Sequence, residues 1–119
     1  MTLSVDVFVI GEDGKPTVLD VPKGHSDLAG FEKWRTTVWG SPAVRALGAR
    51  FFPRLDGDNL DVQPDEVPAF LEECALLRAN LAEVAARAMV RPESIDFRLA
   101  NIEQAAHRAK EVGGGVVVW

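Results

Sequence analysis

Several short stretches carry the residue types that chemistry needs. Gly24-His25-Ser26-Asp27 sets an imidazole, a hydroxyl and a carboxylate side by side. A hydrolytic triad brings those groups together from distant positions, so neighbours along one stretch do not make one. The chain has no G-x-S-x-G elbow and no tyrosine, which removes further acyl-transfer and acid–base options. Ser26 and Asp27 read instead as helix N-caps. His107 has Glu103 four residues before it and Glu111 four after. Such i, i+4 pairs can share a metal, but they are more often solvated pairs worth about 0.2–0.5 kcal/mol. Asp56, Asp58 and Asp61 suggest a calcium loop, yet the D-x-[DN]-x-[DN]-G spacing and its twelfth-position glutamate are missing. Gly113-Gly114-Gly115 follows a helical pattern and precedes a β-branched run. A phosphate cradle needs the reverse order, strand, loop, then helix N-terminus. No catalytic, metal or cofactor set is assigned.

Composition narrows the class. At 119 residues with 47% hydrophobic content, a single domain over 1–119 with a sizeable core is expected. The net charge of −5 disfavours nucleic acid and anionic membranes, which select basic faces. The lone cysteine, Cys74, cannot form an internal disulfide and sits in an apolar helical stripe, so it reads as a buried, inert thiol. Residues 2–10 lack the n-region and h-region of a signal peptide, and no apolar run approaches ~18 residues, so the cytoplasm is the expected location.

Charge is segregated along the chain. Residues 55–77 hold Asp56, Asp58, Asp61, Asp65, Glu66, Glu72 and Glu73 and no base, whereas residues 23–54 carry six bases and two acids. Asp65 and Glu66 suit a helix N-terminus. The remainder is read either as a solvated surface or as an acidic patch that steers a basic protein surface into place. Trp34 fits the core. Trp39 is read as core or as an exposed anchor, because tryptophan is enriched at binding hot spots.

The elements that must position these groups follow from periodicity. Thr2–Ile10 alternates and then turns apolar on both faces, which predicts a strand. Gly11–Pro16 predicts a turn and Thr17–Val21 a second strand, paired as an antiparallel hairpin. Leu28, Phe31, Trp34 and Val38 predict a helix ending at Gly40. Ser41-Pro42 predicts an N-cap and a short helix to about Leu47. Arg50–Leu55 predicts an edge or bulged strand, since Pro53 interrupts it, paired with Leu60–Gln63. Val67 through Ala88 forms one helical stripe and Ile95 through Val112 another, with a break at Pro92. Val116–Val118 lacks alternation and predicts a strand buried on both faces. The expected fold is α+β: an antiparallel or mixed sheet of four to five strands, two long helices on one face and an internal C-terminal strand.

Two stretches, Asp27–Glu32 through Trp39-Gly40-Ser41 and Arg98–Glu103 leading to Gly114–Trp119, resemble small actinobacterial proteins. The whole layout resembles the small α+β immunity proteins of polymorphic toxin systems. That resemblance implies an often acidic, non-enzymatic inhibitor that binds a cognate toxin, and it carries over no functional residue. The expected partner surface is Asp56, Asp58, Asp61, Glu66, Glu72, Glu73 and Trp39, facing a basic protein. One alternative is an enzyme or ligand sensor in which Arg35, His25, Asn101 and Arg50 converge on a pocket. Another is a structural subunit or homodimer built through Trp39, Phe51 and Phe52.

Overall fold

The computed structural model describes residues 1–119. Strand β1 (Thr2–Ile10) is the spine of a five-stranded antiparallel sheet. Its odd-numbered residues Leu3, Val5 and Val7 are buried, as the two-residue strand period requires. One edge of β1 carries two short strands in succession, β2 (Pro16–Val18) beside its C-terminal half and β3 (Leu28–Phe31) beside its N-terminal half. The other edge pairs with β5 (Gly115–Val118), which pairs in turn with β4 (Leu60–Val62). The C-terminal strand is thus internal.

Helix α4 (Pro92–Val112) lies against β1, β3 and β5, and α2 (Val67–Ala79) packs alongside α4. Two shorter helices, α1 (Pro42–Ala46) and α3 (Leu81–Ala88), complete that layer. A core cluster of 27 buried residues runs between this layer and the sheet. Ser41 Oγ accepts from Val44 N (3.3 Å), and Pro42 opens α1.

The structure corrects three sequence expectations. Residues 28–31 are a strand, not the start of a helix. Their backbone pairs with β1, and Gly30 sits at φ +116°, a conformation that disfavours residues with a side chain. The Trp34 ring lies so close that a Cβ on Gly30 would be 2.6 Å from it. Ser26 Oγ accepts from Leu28 N two residues on (3.2 Å), which is a local turn and not a helix cap. Only Arg35–Trp39 is helical, as a single π-helical turn.

Residues 50–55 are not a strand. The N–H groups of Arg50, Phe51 and Phe52 all donate to the Glu73 carboxylate at 2.5–3.1 Å, so they have no ladder to join. A 3₁₀ turn follows at Phe52–Leu55. The partner of β4 is therefore β5.

The long stripe 67–88 is two helices. At Asn80 the side-chain Nδ2 donates to Leu76 O (2.9 Å), while its backbone N–H turns to Leu77 O (3.1 Å). The side chain takes the carbonyl that a continuing α-helix would give to the backbone.

Candidate functional site

The helices cover only one face of the sheet. The opposite face is built from Ser4, Asp6, Phe8 and Ile10 of β1, Pro16 and Val18 of β2, Val117 and Trp119 of the C-terminal run, and Asp61 beside Gln63 at β4. Strand register arranges them in rows. Asp6 stands opposite Val117, and Val117 opposite Asp61. At about 4.8 Å between strands, the two carboxylates flank Val117 from positions about 10 Å apart. In the next row Phe8 lies between Val18 and Gly115. The Phe8 ring rests across Gly115, where a Cβ would stand 2.4 Å from its Cζ and 2.3 Å from Val62 O.

Phe8 and Val117 are buried but belong to no part of the main core. They form the floor of a groove on the open face. Ile10, Val18 and Trp119 form the rim and are each close to half exposed, at 46%, 45% and 46%. These residues line an open groove of about 290 Å³, with Asp61 and Gln63 on one side. No lysine or arginine lines it.

Trp119 is held from two directions. Its backbone exchanges hydrogen bonds with Ser4 (2.9 and 3.0 Å). Its indole N–H donates to Asp6 Oδ2 (2.9 Å). With its polar edge satisfied, the ring is fixed in place and lines the groove, an arrangement suited to contact with a partner.

The acidic residues singled out in the sequence do not form one surface. Asp61 alone lines the groove, and its Oδ1 accepts from Gln63 Nε2 (3.2 Å). Asp56 pairs with Arg45 (3.1 Å), and Glu66 pairs with Arg54 (3.7 Å) while accepting from Gln63 N (3.0 Å). Asp58 Oδ1 accepts from Asn59 N (2.7 Å). Glu72 is exposed on α2. Glu73 is buried and fully occupied by the three backbone N–H groups, which removes it from any partner surface. Trp39 is likewise withdrawn. It is fully buried, its Nε1 donates to Ala29 O (3.0 Å), and its ring packs edge-to-face with Trp34 and at a tilt against Phe52. Phe51 and Phe52 are core as well, so they cannot form a dimer contact as folded.

The four polar residues considered for an internal pocket also lie apart. Arg35 clamps the 55–59 loop through Leu55 O, Asp58 O and Asn59 Oδ1. His25 Nδ1 faces Arg108 Nη1 at 2.7 Å, and Arg108, without His25, lines a recess of about 180 Å³. Asn101 Nδ2 donates to Leu28 O (2.9 Å), which ties α4 to β3. The Arg50 N–H meets Glu73. Glu103, four residues before His107, binds Arg78 together with Asp96 and so joins α2 to α4. These carboxylates raise the Arg78 pKa above its ordinary value. Burial pushes the Cys74 thiol well above its usual range, with Glu103 and Glu73 adding to the effect.

No group of three or more His, Cys, Asp or Glu side chains is placed to hold a metal ion, and no helix is long and apolar enough to cross a membrane. Comparison with protein-family models, curated proteins and solved structures finds no match for this chain.

Sequence reasoning missed the groove, although its signal was legible. Val7–Ile10 and Val116–Val118 are apolar on both strand faces. That pattern demands cover on the second face but does not say what supplies it.

Proposed function

We propose that this chain is a non-enzymatic protein-binding domain of the immunity type, which blocks a cognate toxin by docking it on the open sheet face. One observation carries the reading. A half-exposed tryptophan, locked by Asp6, stands beside an apolar groove that has a carboxylate on its rim and no cation. Fixed aromatic anchors in apolar surroundings are the usual centres of protein interfaces. The groove is open and lies just below the ~300–1,000 Å³ of clefts that enclose small molecules. The net charge of −5 favours a basic partner surface, which the acidic face would steer and orient.

The test is co-expression with a toxin encoded by the neighbouring gene. The wild-type chain should rescue growth, and folded Trp119→Ala should fail to. In a binding assay the same variant should lose about 30-fold or more in affinity, the scale of a hot spot. Unchanged affinity in Trp119→Ala would remove the open face from the interaction.

A further inference from the structure

We infer that the groove receives an arginine side chain of the partner, with its alkyl stem on Phe8 and Val117, its guanidinium stacked on Trp119 and its N–H groups paired with Asp61. The inference rests on the protein-binding reading and names what the groove selects.

Charge complementarity carries it. Asp61 makes no salt bridge, and its one side-chain hydrogen bond comes from the neutral Gln63 amide onto Oδ1, so Oδ2 is free. Any occupant that covers Asp61 must bring a donor, because an unpaired carboxylate is costly to desolvate. The floor beside it is apolar, so that donor must arrive on an apolar stem. Trp119 lies two residues from Val117 along the same run, diagonal to Asp61 across the β4–β5 pair. Trp119 and Asp61 both line the groove, and diagonal neighbours on one sheet face are close enough for one long side chain to span. Arginine meets all three demands at once, since it stacks on aromatic faces, pairs with carboxylates through two parallel N–H groups and is weakly hydrated. Lysine offers a point charge and stronger hydration. An aliphatic side chain would leave Asp61 unpaired. Asp6 closes the row from the other side, where it keeps the indole in place.

The experiment uses ¹⁵N-labelled protein titrated with acetyl-Gly-Arg-Gly-amide and with its lysine and citrulline counterparts. The reporter is the Trp119 indole N–H, identified by its loss in Trp119→Phe. The arginine peptide should shift the Trp119 and Val117 signals saturably, and the lysine peptide should bind more weakly. Citrulline, nearly the same shape without charge, should not saturate. Asp61→Asn should weaken the arginine peptide about tenfold and leave the rest of the spectrum unchanged, which also reports that the fold is intact. Equal midpoints for arginine and citrulline would overturn the assignment, as would shifts that bypass Trp119. A silent arginine peptide alongside a toxin that does need Trp119 would reject the arginine occupant and leave the protein-binding reading standing. A saturating arginine peptide alongside a toxin indifferent to Trp119 would support the arginine site and reject the immunity reading.

Discussion

On β5, Val116 and Val118 point into the helical layer and are fully enclosed, while Val117 between them points the other way. Val117 lines the groove together with Phe8 and Trp119, and no helix residue lines it. The same contrast runs along β4, where Leu60 is fully buried and Asp61 is exposed. On the covered face, side chains are held by elements from the whole chain. On the open face they are held only by one another and by the strands beneath. Substitutions on the first should therefore register as stability, and substitutions on the second as binding.

The largest expected effect lies under the covered side. Glu73→Ala strips the acceptor from three N–H groups, two of them on the buried Phe51 and Phe52. Each orphaned buried donor costs about 1–3 kcal/mol, so a loss of about 4 kcal/mol is expected in chemical denaturation. A change under 1 kcal/mol would mean that water reaches this turn. Next comes Leu60→Ala, which should cost about 2–5 kcal/mol as a buried truncation. Its neighbour Asp61→Ala should stay within about 0.5 kcal/mol. Equal losses at the two positions would erase the distinction between the faces.

Gly115→Ala probes the boundary. The added methyl group would meet both Val62 O and the Phe8 ring, so a loss of about 2 kcal/mol is expected from overpacking. The groove signals should shift with it, read by amide spectra. Trp119→Ala should cost only about 1 kcal/mol of stability while weakening the proposed partner's binding about 30-fold or more. A variant that unfolds instead would make Trp119 a structural residue.

An effect confined to alkaline solution concerns Cys74. Its folded pKa is raised, chiefly by burial, so the folded state holds the proton longer than the unfolded chain does. Stability should then be level below about pH 8.5, the unfolded thiol's value, and fall above it by at most about 1.4 kcal/mol per pH unit. Cys74→Ala should remove that part of the slope. A disulfide-exchange reagent should modify the thiol only as fast as the protein opens.

Much of the architecture is written in local patterns. Alternation in Thr2–Ile10, the Ser41-Pro42 cap, the stripes of α2 and α4, and the turn at Gly113 each depend on neighbours a few residues away. That is why these elements form where their residues indicate. Residues 28–38 also carry helical spacing, yet β1's open edge and the Trp34 ring over Gly30 take the first four of them into the sheet. Residues 50–55 look like a strand until Glu73, more than 20 residues away, collects their N–H groups.

The candidate site divides in the same way. The sequence by itself determined an acidic, apolar-rich chain with two strands apolar on both faces and seven acids between residues 55 and 77. Only the tertiary structure decided that six of those acids lie away from the groove. It also decided that Trp39 is sealed in the core and that Trp119 is pinned open beside Asp61. Composition and period set which residues seek burial. Strand register and helix placement determine which face of a sheet goes uncovered, and those depend on contacts between residues far apart in the chain.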